Sequence, residues 1–231
     1  MSNFSRLTVV VPQVNKVYRD YSKPHIKAAN IEAIRNINTK YGAMCQKWGD
    51  VFEIEKGILI AFIATESMGK ASITSFTGCC YGLMQVSPDS IIEAANKFKA
   101  ITKVDLPQSV RAELEKTRGV FGVIEPSAAT ASALKARLLN DPNFNIMCGT
   151  MVLRWNLEYF STFLTGAQLN KAIVGYNAGT YVRALSSNRK VPIDTTTLVG
   201  MKSVPSESRS YVVKMLGVDG FVSLIYKDKA I

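Results

Sequence analysis

The chain has 231 residues, of which 47% are hydrophobic and 20% charged, a globular rather than disordered composition that suits one domain, or one domain with an appendage. Its 28 basic and 18 acidic residues leave a net charge of +10, which favours an anionic partner without choosing among nucleic acid, acidic lipid and acidic cell-wall polymer. The single histidine, His25, excludes any site with two histidine ligands, and so the common zinc peptidase and amidase arrangements; a Ser-His-Asp or Cys-His hydrolase would have to recruit that one imidazole.

The chain opens on an apolar run, residues 7–11, that reads as a short strand. Pro12 ends it, and it is too short for the apolar region of a signal peptide. From Pro24 the pattern turns helical: Ile34, Ile37, Tyr41, Met44 and Trp48 recur at spacings of three and four, one core-facing stripe. Residues 53–67 predict the next helix. Ile54, Ile58 and Phe62 lie four apart while Leu59, Ile60, Ala61, Ile63 and Ala64 fill the other faces, and a helix apolar all round is buried. Its apolar stretch is too short to span a bilayer, so no integral membrane segment is expected, and the chain reads as made in a cytoplasm without an export signal. Cys45, Cys79, Cys80 and Cys148 are read as reduced thiols, since a bond between the adjacent Cys79 and Cys80 would be strained and the other two lack C-x-x-C spacing.

A Gly-, Ser- and Thr-rich segment, 69–82, follows. Ser87-Pro88-Asp89 then supplies an N-cap with proline at the first helical position and opens a helix to about residue 98. Two further helices are expected at 107–118 and 127–139, separated by 119–126. Asp141-Pro142 repeats the cap-and-proline signal and starts a long helix to about residue 160. Shorter helices are expected at 166–174 and 180–185, with Tyr176-Asn177-Ala178-Gly179 in the turn between them. Residues 186–204 read as a loop, 205–216 as a last full helix stopped by Gly217, and 221–226 as a short strand or packed tail. The fold class is mainly α.

Chemistry centres on Glu66, a carboxylate at the far end of the most hydrophobic helix. Burial raises a carboxyl pKa, and a raised pKa makes a general acid at neutral pH; alone, it could equally be the solvated end of a buried helix. Downstream lie Gly82-Leu83-Met84-Gln85, Asp141-Pro142-Asn143-Phe144-Asn145-Ile146, Gly175-Tyr176-Asn177-Ala178-Gly179 and a late-helix Tyr211. Each is weak alone; their order after Glu66-Ser67 is not.

In these residues, together with Ser75, the chain resembles the soluble lytic transglycosylases, a lysozyme-like family that cleaves peptidoglycan. The resemblance runs from about residue 58 to 215; Gly175 stands where the family usually has Ala, and the segment with Cys79 and Cys80 is one residue longer. It implies a lysozyme-like helical domain over 51–231 with a helical insertion at about 99–140, preceded by a partly helical extension at 1–50. It also implies one catalytic carboxylate, Glu66, which protonates the glycosidic oxygen and then acts as base on the muramic C6 hydroxyl, giving a 1,6-anhydro end without water. Gln85 and Asn177 would bind sugar amides and hydroxyls, each offering a donor and an acceptor. Tyr211 would hydrogen-bond Glu66, Tyr176 and Met84 would line the groove, and Ser67 and Ser75 would hold Glu66 and the adjoining loop. No cofactor and no metal is expected, so activity should survive chelation. The partners implied are peptidoglycan glycan strands and, for a phage lysin carried on the virion or released as an endolysin, virion proteins. A hydrolytic goose-type lysozyme on the same fold remains open, with Asp89 or Asp141 orienting water. So does an inactive descendant of that fold. A nucleic-acid-binding module is disfavoured because the basic residues are dispersed.

Overall fold

The computed structural model describes residues 3–9, 24–161, 167–179 and 205–231. The expected helix at 180–185, the loop at 186–204 and the end of the first apolar run lie outside them.

The described part is mainly helical. Helix α1 (Pro24–Phe52) buries Ile34, Ile37, Tyr41, Cys45, Trp48 and Phe52, the three-and-four spacing of one helix face. Cys45, not the half-buried Met44, completes the stripe. The helix stops because Glu53 turns into the left-handed region, with φ 52°. The next helix, α2 (Lys56–Ser67), therefore starts three residues later than its apolar pattern predicts. It is buried from Gly57 to Thr65, enclosed by α1 and by the two helices that close the chain, α8 (Ser206–Leu216) and α9 (Phe221–Tyr226).

Between them the chain forms α3 (Pro88–Thr102), α4 (Gln108–Glu115), α5 (Ala128–Asn140), α6 (Pro142–Ser161) and α7 (Leu169–Ala178). Ser87 and Ser127 cap α3 and α5 with their side chains, and the Asp141 carboxylate accepts from Phe144 N at 3.0 Å at the start of α6. These caps satisfy amide groups that a first helical turn otherwise leaves unpaired. Helix α6 is the hub, packed on α1, α3, α5 and α7. Residues 221–226 form helix α9, with Phe221, Val222, Leu224 and Ile225 buried. That is a helical spacing, so packing overrides the strand preference of the side chains.

The N-terminal segment is tied in by a two-residue strand, β1 (Leu7–Thr8), parallel to β2 (Ala167–Gln168) with Leu7 opposite Ala167. A buried ion pair anchors it further. Arg154 meets Glu158 at 2.9 Å one turn along α6. The guanidinium also donates to the carbonyls of Phe52 and Glu53 at 2.9 Å each, capping α1. Glu158 in turn accepts from the Ser5 amide and hydroxyl, both at 2.9 Å.

Candidate active site

Glu66 sits in the last turn of α2, which closes with Met68 in the left-handed region (φ 51°) and Gly69 beyond it (φ 79°). The turn is braced by Ser67, whose hydroxyl donates to Ile63 O at 3.1 Å and accepts from Gly69 N at 3.2 Å. One turn back on the same face lies Phe62. Its ring meets Tyr176 edge-on at 4.9 Å and Tyr211 at 6.4 Å. An aromatic floor thus brings the tyrosines of α7 and α8 to the carboxyl.

The Tyr211 hydroxyl donates to Glu66 Oε1 at 2.6 Å. One turn along α8, Lys214 donates to Thr65 O at 2.9 Å, answering a carbonyl at the negative end of the α2 dipole. Burial pushes the Glu66 carboxyl up from its ordinary value of 4.5 to about 7; the Tyr211 hydrogen bond and the Lys214 charge pull it down, and Glu207 pushes it up. Burial also holds Tyr211 and Tyr176 well above the usual phenol range, so both remain neutral donors. With Oε1 occupied as an acceptor, Oε2 is left to carry the proton.

The opposite wall is residues 74–86, folded back on themselves by bridges between Thr74 and Tyr81 and between Tyr81 and Val86. Its turn needs Gly82, whose φ is 75° and where a Cβ would strike Asn145 and the Leu138 carbonyl. Asn145 holds the turn from α6: its Oδ1 accepts from Met84 N at 2.9 Å, and its Nδ2 donates to Tyr81 O at 2.9 Å and Leu138 O at 3.1 Å. Gln85 is held with φ 44°, a conformation that a side chain normally avoids and that clusters at functional sites.

The expected binding residues divide. Tyr176 and Tyr211 come together at Glu66 through Phe62. Tyr176 spends its hydroxyl on Met84 O at 2.8 Å, which couples α7 to the opposite wall. Met84 does not line a groove: it is fully buried, its side chain wedged where Gly149 of α6 has no Cβ. Gln85 turns its amide nitrogen to Ile73 O at 3.1 Å and Gly82 O at 2.7 Å, so its donors are committed to carbonyls of its own wall. Asn177 accepts from Ser208 at 2.6 Å and keeps its amide nitrogen. Ser75 accepts from Cys80 N at 3.1 Å and organises the tip of the wall. Gly175 is required by packing, since a Cβ there would strike the Phe160 ring. Of the two acids considered as water-orienting bases, Asp141 is committed to its cap and Asp89 is exposed in the first turn of α3.

The family resemblance points to Tyr211 but not to what surrounds it. Lys214 follows it by three residues, one face of a helix, and Phe62 precedes Glu66 by four. Those two intervals are the signals that could have found them. The geometry defines a helical domain with one protonatable carboxyl, oriented by a tyrosine and faced by a braced turn. The family described as the transglycosylase SLT domain matches residues 116–194, about a third of the chain, including Asn145 and residues 176–179 but not Glu66 or the 82–85 turn. No curated protein matches the sequence.

Proposed function

We propose that this protein is a peptidoglycan lytic transglycosylase that cleaves the β-1,4 bond between N-acetylmuramic acid and N-acetylglucosamine without water. The observation that carries the reading is Glu66, a carboxyl with a pKa of about 7 hydrogen-bonded at one oxygen by Tyr211. Protonated Glu66 gives its proton to the glycosidic oxygen as the bond to the muramic anomeric carbon breaks. The carboxylate so formed takes the proton of the muramic C6 hydroxyl, whose oxygen closes on the anomeric carbon. The N-acetyl group of the substrate shields the positive centre, the part a second carboxylate plays in most glycosidases. The turn of 82–85 and the amides of Gln85 and Asn177 hold the sugars. The match to the transglycosylase SLT domain supports the substrate class, and the charge of +10 suits an anionic wall polymer.

The test is mass spectrometry of muropeptides released from purified peptidoglycan, without borohydride reduction. Ends lighter by one water than reducing ends are expected. Hydrated reducing ends would reject the reading in favour of a lysozyme. Glu66→Gln should lower the rate by at least about 10²–10⁴-fold while the protein still sediments with peptidoglycan.

A further inference from the structure

At the tip of the wall facing Glu66, two thiols touch. Cys79 and Cys80 are both free, with sulfurs 3.2 Å apart. Cys79 is exposed and Cys80 half-buried. Hydroxyl groups gather on the exposed sulfur: Thr77 Oγ1 at 3.0 Å and Ser75 Oγ at 3.8 Å. Ser75 also closes the turn, its amide donating to Cys80 O at 2.9 Å and its hydroxyl accepting from Cys80 N at 3.1 Å. The two sulfurs are therefore unlike. Hydrogen bonds from Thr77, Cys80 and Ser75 hold the Cys79 thiol below its usual range, Thr77 the largest, although partial burial opposes them. Burial pushes Cys80 up to about 12, with Cys79 adding to the shift. The Cys80 thiol also lies within electrostatic range of both Glu66 and Tyr176.

We propose that Cys79 and Cys80 form a reactive dithiol that exchanges with low-molecular-weight disulfides and closes to a vicinal disulfide at the rim of the site. The Cys79 thiolate attacks one sulfur of the small disulfide, forming a mixed disulfide and releasing one small thiolate, which takes up the proton Cys79 gave up. Cys80 then loses its proton, and its sulfur attacks the Cys79 sulfur; the second small thiolate leaves with that proton. Two protein thiols are oxidised and one small disulfide is reduced to two thiols. The exposed, hydrogen-bonded sulfur is suited to the first attack, since the thiolate is the nucleophile. The half-buried sulfur in contact with it is suited to the second. The eight-membered ring is strained, and strained disulfides are the readily reduced, regulatory ones. Closure draws the sulfurs to about 2.0 Å and pulls Cys79 away from Thr77 and Ser75, so the turn that faces Glu66 must shift. The consequence for activity rests on the proposed function; the modification itself does not.

The experiment incubates the native protein with oxidised glutathione, blocks remaining thiols with N-ethylmaleimide, and examines the tryptic peptide of residues 71–97 by mass. The expected peptide is lighter by two hydrogens and carries no maleimide, while the buried Cys45 and Cys148 stay reduced. Cys80→Ser should stop at a stable glutathione adduct on Cys79, and Cys79→Ser should not react. A wild-type peptide still labelled on both thiols, or one that keeps its glutathione adduct, overturns the proposal. On peptidoglycan, oxidation should lower the rate by about tenfold or more, dithiothreitol should restore it, and the treated-to-untreated ratio for Cys79→Ser should stay near one. A closed disulfide with undiminished activity overturns the coupling to the site. Closure in a protein inert on peptidoglycan even when reduced would leave the dithiol standing and remove the proposed function instead.

Discussion

A carboxyl with a pKa of about 7 is half-protonated near neutrality, so a reaction that starts from the acid form slows as pH rises through that value. The groups facing Glu66 are Tyr211, Lys214 and Glu207 of α8, Tyr176 of α7 and Cys80 of the opposing turn. Tyr211 and Lys214 favour the charged form, so removing either raises the pKa further. Tyr211→Phe and Lys214→Met should both move the alkaline limb of kcat/KM to higher pH, measured between about pH 5 and pH 9. Tyr211→Phe should also lower the plateau, because Oε1 loses the donor that orients the carboxyl, yet leave the proposed anhydro product unchanged. The same carboxyl bears on stability. Its folded pKa lies above the ordinary 4.5, so its contribution is fully present below that value and is lost as pH rises through about 7. Glu66→Gln should therefore be more stable than the wild type at about pH 8, by on the order of 1–3 kcal/mol, with the gain fading near pH 4. Thermal unfolding at the two pH values checks it.

Among the elements, the contact of α6 with the 82–85 turn decides whether the site keeps its shape. Gly149 is mid-helix, where alanine would ordinarily add about 1 kcal/mol of helix stability. Here a Cβ collides with Met84. Gly149→Ala should instead cost about 1–3 kcal/mol and reduce activity, and Met84→Ala in the same chain should recover part of the loss in a double-mutant cycle by urea unfolding. The sequence speaks plainly about some of this architecture. The caps at Ser87 and Asp141 announce their helices because the signal is local, while the cap that Ser127 provides for α5 shows only in the structure. The stripe on α1 is legible by period, yet period alone cannot choose Cys45 over its neighbour Met44; the partner surface does that. Residues 176–178 read as a turn because Asn and Gly tolerate left-handed backbone, but the helix continues through them and only Gly179 leaves it, with φ 59°. Glu66 stands out as a charge on an apolar helix. Met84 misleads, because whether a methionine beside a site points into the groove or into the core depends on a glycine 65 residues away.

Across the whole molecule, the N-terminal segment, α1 and α6 meet at Arg154 and Glu158, whose side chains are 1% and 6% exposed. Breaking a buried pair leaves one charge without its counterpart, so Glu158→Gln should cost about 3–5 kcal/mol in chemical denaturation. Glu115→Gln, which breaks the exposed pair with Arg111, should cost less than about 1 kcal/mol.

The clamp at Asn145 works differently, because every atom it grips is main chain: one amide nitrogen and two carbonyl oxygens. Such a clamp is blind to the side chains of the turn it holds. An exposed position on the same wall, such as Phe76, can be exchanged without loosening the turn, whereas at Asn145 aspartate lacks the donors and leucine lacks both functions. The wall that faces Glu66 can thus change its outer surface without changing its shape, and a library varied at Phe76 should unfold at the temperature of the wild type.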